Sequence, residues 1–222
     1  VTNTIDAMIE MLEEAPVLKD RSLVHLYLGT SETIARVIIY DNAELKPLQK
    51  SYCQLRLQDN IVAMSGDKYI IRRFSPLETI GGGAVLDSLP EKRRKKEGIS
   101  DLEIFEKGTL LDKIECKIKK SGLKGVDYSF LQGWIYCDRD DIKESVRTLK
   151  KQSKILVSQD AYFHIDLITQ IVQRLKGLLA DFHRDNPLKE GMLKEEVRAR
   201  LFGNKYPNEK IFDILFGAEG IT

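Results

Sequence analysis

Four cations at helical spacing in the middle of the chain could bind the phosphates of a nucleic acid. Residues separated by four, seven and eight positions lie on one side of a helix, so these cations would form a single basic stripe. The stripe consists of Lys143, Arg147, Lys150 and Lys151. Such cations add phosphate affinity without reading base sequence. The stripe therefore predicts a helix face directed toward phosphate or, alternatively, toward solvent.

A run of three glycines, Gly81 to Gly83, exposes backbone N–H groups without side-chain obstruction. Another backbone or a phosphate could approach such a run closely. A nucleotide site would place the run before a helix with a Lys-Ser/Thr pair, whereas here a strand pattern, Ala84 to Asp87, follows. Two interpretations stay open: a bulge or close contact inside a β-structure, and contact with an RNA backbone.

The remaining polar residues predict no catalytic or metal site. The three histidines are scattered, without a partner at the spacing of a metal site or a catalytic triad. They are His25, His164 and His183. Asp138, Asp140 and Asp141 lack the Gly and terminal Glu of a calcium loop, and helix capping explains their spacing better. We therefore expect no enzyme activity, no metal and no cofactor in these residues.

The composition is that of an ordinary soluble protein, with 42% hydrophobic and 31% charged residues among 222 and a net charge of +1. No apolar run approaches the roughly 20 residues that span a bilayer. The N-terminus does not resemble a signal peptide, so we expect a cytoplasmic location without membrane contact. Cys53, Cys116 and Cys137 lack C-x-x-C spacing, which favours free thiols. The basic run 92–96 is interpreted as a solvated linker.

The first part of the chain shows the alternation of a half-buried sheet. Val24, Leu26 and Leu28 alternate with other residue types, and residues 34–40 are β-branched or aromatic. Several such runs separated by turn residues predict a small antiparallel barrel or sandwich. Residues 5–12 fit a helix and a strand equally well, so their period alone does not decide between them.

After residue 100 the apolar residues recur at helical spacing in two blocks of similar plan. The first block predicts one helix from residue 101 to Gly122, a short helix at 126–131, and a third over 139–152. A hairpin around Ser158 to Asp160 follows, and three helices followed by a hairpin form a winged helix. Trp134 is expected to be an apolar anchor.

The second block repeats this plan, with helical patterns over 168–182 and 193–201 and another that starts at 208. The predicted fold class is thus a multidomain chain, an antiparallel β-barrel followed by α+β winged-helix modules. The predicted domains are a barrel at 1–88, a basic linker at 89–100, a first winged-helix module at 101–165, and a second, truncated module at 166–222.

Six short segments of the predicted barrel are Leu23 to Thr30, Ala35 to Val37, Gly66 to Arg72, Ser75-Pro76, Thr79 to Gly83 and Val85 to Asp87. In their order and spacing these segments resemble the third domain of the bacterial selenocysteine-specific elongation factor and, more distantly, that of elongation factor Tu. Asn186 to Met192, with Glu195 to Arg198 and Leu201, resembles the second winged-helix module of that family. The resemblance makes residues 5–12 the first strand of the barrel.

The resemblance also implies a role for the barrel. In translation factors a Thr-apolar-Gly-x-Gly segment at the end of this domain lies against the T-stem of tRNA. By that likeness Thr79, Gly81 and Gly83, with Arg72 just upstream, are the candidate tRNA-binding residues.

The implied partners of the whole protein are selenocysteyl-tRNA, the ribosome and a selenoprotein mRNA hairpin, and its implied cofactors are GTP and Mg. The family delivers selenocysteyl-tRNA at UGA codons, while the GTP-binding P-loop and the module that grips the hairpin do not occur in this sequence. The chain is therefore expected to be a middle-to-C-terminal fragment that supplies tRNA contacts and a spacer.

Two other functions remain as alternatives. Tandem winged helices could belong to a DNA-binding regulator whose β-domain binds an effector or partner, although the third helix offers mostly Lys and base reading needs Arg, Asn or Gln. The chain could also be an architectural arm that contacts only proteins. Binding to structured RNA, to duplex DNA or to neither would distinguish the three.

Overall fold

A computed structural model of the chain describes residues 1–91, 98–203, 207 and 209–217. Its contacts divide the chain into two compact units, Val1–Lys113 with Leu131–Arg139, and Ile114–Phe130 with Asp140–Thr222. The basic run 92–96 lies outside the described residues. None of the helices in the described ranges is long and apolar enough to cross a membrane.

The first unit contains a closed antiparallel barrel of six strands in the order β1-β6-β4-β3-β7-β8. The barrel strands are β1 (Thr2–Met11), β3 (Leu23–Leu28), β4 (Ser31–Ile39), β6 (Lys50–Ile61), β7 (Lys68–Arg72) and β8 (Thr79–Asp87). A short pair, β2 (Leu18–Lys19) and β5 (Glu44–Leu45), lies outside this closed sheet. The predicted barrel is confirmed.

Alternation of side chains fills the barrel, since every second residue of a strand points to the same face. In β1 the buried core positions are Ile5, Ala7, Ile9 and Met11. This strand pairs with β6 on one side and β8 on the other, and so closes the sheet. The segment that was ambiguous by period is thus a strand, as the resemblance implied.

Part of the helical region belongs to the same compact unit as the barrel. Trp134 is fully buried, and its Nε1–H donates to Oδ1 of Asp87 at the end of β8, at 2.8 Å. Its backbone oxygen accepts from the N–H of Ser65 at 2.7 Å, and Ser65 forms a parallel bridge with Ile135. The Phe105 ring packs edge-on against Trp134 at 5.4 Å. The expected apolar anchor therefore also carries a buried hydrogen bond.

The long helix predicted from residue 101 to Gly122 is wrong, because the chain forms two helices, α1 (Ser100–Lys107) and α2 (Leu110–Ser121). Gly108 is extended between them. Thr109 then caps α2, because its Oγ1 accepts from the N–H of Asp112 while the Asp112 carboxylate accepts from the N–H of Thr109. Ile104, assigned to the buried face, is 38% exposed.

The rest of the first block follows the winged-helix plan. Its remaining segments are β9 (Val126–Asp127), α3 (Tyr128–Trp134), α4 (Arg139–Lys151), β10 (Ile155–Ser158) and β11 (Ala161–His164). The last two strands form the predicted hairpin, and β9 adds to β11 as a third strand. Helix α4 begins at the predicted residue and ends one residue earlier than predicted.

The second block consists of α5 (Ile165–Asp185), α6 (Lys194–Phe202) and α7 (Lys210–Gly217). His164 caps α5, because its Nδ1 accepts from the N–H of Asp166 at 3.2 Å. One side of α5, with Ile168, Ile171 and Leu175, packs in a core shared with α6, α7 and the hairpin. The three predicted helices are confirmed within a few residues at each end.

Candidate nucleic-acid interface

Arg72 and Thr79, two of the predicted contact residues, lie opposite each other on β7 and β8. Thr79 is exposed, and Arg72 is partly exposed. The Arg72 guanidinium donates from Nη2 to the backbone oxygen of Leu77 at 2.9 Å and lies 5.9 Å from the centre of the Tyr27 ring. A loop contact and a ring contact thus hold this cation at the barrel surface beside Thr79.

Gly81 and Gly83, the other two predicted contact residues, have a steric reason to be glycine. A Cβ atom on Gly81 would lie 2.5 Å from the backbone oxygen of Glu10, and one on Gly83 only 1.8 Å from that of Met8. Gly82 is limited from the other side, where its Cβ would meet the Tyr69 oxygen at 2.5 Å. Close packing of β8 between β1 and β7 therefore explains all three glycines without a ligand.

The structure adds aromatic neighbours to this surface. His25 of β3 lies directly opposite Arg72, and its ring contacts that of Phe74 with centroids 4.3 Å apart. Phe74 is 46% exposed. His25 Nδ1 is 3.2 Å from Glu32 Oε1, which also accepts from the Tyr27 hydroxyl at 2.7 Å. That hydrogen bond raises the pKa of Tyr27 above its ordinary value.

Sequence reasoning did not assign His25, Tyr27 and Phe74 to the site. From the sequence, His25 is one of three scattered histidines without a catalytic or metal partner, and neither Tyr27 nor Phe74 is singled out. The missing information was the register between β3 and β7, which places His25 beside Arg72. Together the five residues form a surface that carries a cation, hydroxyl groups, the exposed ring of Phe74 and the half-buried rings of His25 and Tyr27. Such a surface can bind phosphate and stack against sugars or bases.

The basic stripe on α4 lies in the second unit, and all four of its cations are exposed. Lys143 forms an ion pair with Asp140 at 3.0 Å, and Arg147 one with Glu144 at 3.7 Å. The hydrogen bond from Lys143 lowers the pKa of Asp140. Lys150 and Lys151 lie in the last turn of the helix, where positive charge is favourable without any ligand.

The hairpin of the first winged helix contacts the third helix of the second block, within the second unit. The Gln159 side-chain amide donates to Oδ2 of Asp213 at 3.1 Å, and Ser158 Oγ lies 3.4 Å from the same oxygen. Asp160 of the hairpin turn pairs with Lys210. Helix α7 and the tip of this hairpin are therefore partly covered by each other.

No cluster of three or more His, Cys, Asp or Glu residues is arranged to hold a metal ion within the described ranges. Of the three aspartates singled out from the sequence, Asp140 and Asp141 lie in the first turn of α4, where negative charge is favourable without a metal ion.

Two family models match separate parts of the chain. The selenocysteine-specific elongation factor beta-barrel domain matches residues 5–92, and the elongation factor SelB winged helix matches residues 177–218. Together they cover more than half of the sequence, and both describe the same kind of protein. The chain belongs to the selenocysteine-specific elongation factor family. The matched barrel range contains every residue of the surface around Arg72.

A curated member of the selenocysteine-specific elongation factor family, from Desulfomicrobium baculatum, is 26% identical over 204 residues, which is 86% of this chain and 31% of the relative. The crystal structure of a bacterial selenocysteine-specific elongation factor (EF-Sec) superposes with a TM-score of 0.67 at 19% identity. That match covers 97% of this chain and 32% of the solved chain, and it supports the fold. The chain thus spans about a third of the length of both relatives.

Proposed function

We propose that this chain contributes tRNA contacts and a spacer to a selenocysteine-specific elongation factor in the cytoplasm. The whole factor would use GTP and Mg to deliver selenocysteyl-tRNA to the ribosome at UGA codons marked by an mRNA hairpin. Both the nucleotide site and the hairpin contact would lie outside these residues. One observation carries the proposal: Arg72 and Thr79 are paired across β7 and β8 at the surface of the barrel, within the range that the family model matches.

The tRNA contact would run along the outer surface of β7, β8 and β3. Arg72 and Thr79 supply a guanidinium and a hydroxyl for backbone phosphates and sugars, and the neighbouring rings of His25 and Phe74 add apolar contact. Gly81 and Gly83 would contribute through the backbone shape of β8, since their lack of side chains is already required by packing inside the barrel.

The winged helices would act mainly as a spacer toward the mRNA-binding end. The stripe of Lys143, Arg147, Lys150 and Lys151 could add phosphate contacts to tRNA, mRNA or ribosomal RNA. The DNA-regulator alternative has less support. Its second reading helix, α7, is engaged with the hairpin through Lys210 and Asp213, and the first offers mostly Lys for base reading.

Fluorescence anisotropy with the 222-residue chain tests the proposal. The probes are labelled selenocysteine tRNA, an ordinary elongator tRNA and a duplex DNA of matched length, across a salt series. We expect saturable preference for the selenocysteine tRNA. Equal affinity for the three probes would indicate that the chain acts only as a scaffold. Preference for duplex DNA would favour the DNA-binding regulator.

Arg72→Ala is the informative variant, and Arg73→Ala is its matched control. Arg73 is the next residue, but its guanidinium already pairs with Glu78 at 2.7 Å. Removal of one phosphate contact should weaken tRNA binding and reduce the salt slope by about 1, whereas the control should change both less. Equal losses in the two variants would mean that Arg72 acts only through general surface charge.

A further inference from the structure

Two arginines lie directly opposite each other on the barrel, outside the surface around Arg72. Arg36 of β4 and Arg56 of β6 are partners in the antiparallel pairing, and both are exposed. Side chains in such pairs have Cβ atoms about 5 Å apart, and like charges at that spacing repel each other. In the described part of the chain, no carboxylate forms an ion pair with either guanidinium. The repulsion therefore costs stability unless an anion binds.

The Arg56 side chain is held by a chain of buried polar groups. Its Nε donates to Oε1 of Gln54 at 2.9 Å, and the Gln54 amide donates to Oδ1 of Asp6 at 3.2 Å. The same Asp6 oxygen accepts from the Tyr40 hydroxyl at 2.8 Å. Gln54 and Asp6 are only 6% and 2% exposed. An arginine fixed in this way loses less conformational entropy on binding, and the bond to Gln54 uses only Nε, not the two terminal NH2 groups.

Neutral residues flank the arginine pair on both sides. In the row across the sheet, Thr4 of β1 lies opposite Arg56, and Leu23 of β3 lies opposite Arg36. Two arginines at paired positions, with neutral neighbours in their row, supply the charge and the donors that phosphate oxygens need, since such oxygens accept paired hydrogen bonds from arginine.

We propose that Arg36 and Arg56 form a phosphate-binding pair for the backbone of the same RNA that contacts Arg72, an inference that rests on the proposed function. Arg36 lies opposite Leu23 on β3, and His25, two residues after Leu23, lies opposite Arg72 on β7. Arg36 is therefore two strands and two residues away from Arg72. Strand spacing and rise put their Cα atoms about 12 Å apart. The pair thus extends the candidate surface from β8 across to β6.

An acidic protein surface is the competing occupant. The RNA backbone is favoured because the pair continues a surface that already carries Arg72 and the exposed ring of Phe74. Single-residue variants distinguish the two, since a protein contact predicts that RNA binding does not depend on either arginine.

The first test measures anisotropy of labelled selenocysteine tRNA against the full chain and its Arg36→Ala, Arg56→Ala and Arg56→Lys variants. Loss of one phosphate contact should lower the salt slope by about 0.9, so the affinity deficit at 50 mM salt should be three- to four-fold larger than at 200 mM. Arg56→Lys keeps the charge but loses the fork geometry and the bond to Gln54, so it should also bind more weakly.

Lys107→Ala is the control, because that side chain is 73% exposed on α1 in the same compact unit. It should leave the affinity and the salt slope unchanged. Arg36→Ala should unfold at the same or a slightly higher temperature, since it relieves like-charge repulsion. Arg56→Ala relieves the same repulsion but also removes the donor to the buried Gln54 oxygen, so its unfolding temperature should be lower than that of Arg36→Ala. If Arg36→Ala and Arg56→Ala both bind the tRNA with the affinity and salt slope of the wild type, the proposal is wrong.

A second readout keeps this inference separate from the tRNA assignment. If the wild-type chain binds no tRNA, the proposed function fails, and thermal unfolding with added inorganic pyrophosphate then decides. If pyrophosphate stabilises the wild type but neither Arg36→Ala nor Arg56→Ala, the result would support the anion site. Equal stabilisation of all three proteins, or none, would overturn it.

Discussion

The buried hydrogen bond between Trp134 and Asp87 should make a large contribution to the stability of the first unit. Both side chains are fully buried, and Oδ1 of Asp87 accepts from the indole at 2.8 Å and from the N–H of Leu89 at 3.0 Å. Asp87→Ala leaves both donors without this acceptor. Hydrogen bonds to a charged group contribute about 1.5–3 kcal/mol each, so loss of the two bonds should lower the free energy of unfolding by about 3–6 kcal/mol.

Asp87→Asn is the matched variant, because its amide oxygen can accept from the same two donors. It loses the charge of the acceptor and replaces Oδ2 with an NH2 group, so we expect a smaller decrease than for Asp87→Ala, of about 1–2 kcal/mol. The order of stability should be wild type, then Asp87→Asn, then Asp87→Ala.

Urea unfolding followed by tryptophan fluorescence measures this order directly, since Trp134 is the only tryptophan of the chain. Its emission reports on the contact between Trp134 and the barrel. The free energy of unfolding should fall with little change in the denaturant slope. If Asp87→Ala unfolds within about 0.5 kcal/mol of the wild type, the bond does not hold these segments together and the argument is wrong.

Three other predictions follow from single contacts. Gly83→Ala should prevent closure of the barrel or lower the free energy of unfolding in urea by more than about 3 kcal/mol, because its Cβ would overlap a backbone oxygen of β1. Gly133→Ala is the control, since its Cβ would enter open space, and it should be neutral or stabilising. Thr109→Ala removes the cap of α2 and should cost about 0.5–2 kcal/mol in the same assay; no loss would mean that the cap is not needed. Lys119→Ala should raise the pKa of Asp166, which the hydrogen bond from Lys119 holds low, and an NMR carboxyl titration would show it. Because the folded-state pKa is lowered, this contact stabilises the fold above the ordinary pKa of Asp166 and loses its effect as pH falls through the folded value. An unshifted titration in the variant would contradict this cause.

The strands of the barrel could be predicted because each has one face in the core. Alternation at Val24, Leu26 and Leu28 follows directly from that arrangement. At residues 5–12 the same logic failed, since Ile5 and Ile9 suit a helix and a strand alike. Pairing of β1 with both β6 and β8 decides the conformation there, and local sequence does not contain that information.

The helix break at Gly108 could have been found from local sequence. A Thr followed three residues later by Asp is a capping signal, and here it follows directly on a glycine. The apolar period continues across Gly108 and by itself suggests a single helix. The capping residues were therefore the better predictor at this position.

Only part of the candidate site could be predicted from the sequence, because the site depends on the register between neighbouring strands of the barrel. Resemblance identified Arg72 and Thr79, which lie near each other along the chain. The neighbours His25 and Arg36 become part of the same surface only when β3 is aligned with β7 and β4. A shift of one residue would turn these side chains into the core, so the surface is specified by the same alternation that fills the barrel.

Strand β8 connects the two features on which these experiments depend. Thr79 lies at its start beside Arg72, Asp87 lies at its end bonded to Trp134, and the glycines between them are packed against β1 and β7. A glycine variant would disturb both ends of the strand, so loss of tRNA binding in Gly83→Ala would not show that the glycine contacts RNA. Thr79→Ala avoids this difficulty because its side chain is exposed. Weaker tRNA binding with unchanged urea unfolding in Thr79→Ala would therefore support a direct contact. Unchanged binding would mean that the glycine-rich shape of β8 serves only packing within the barrel.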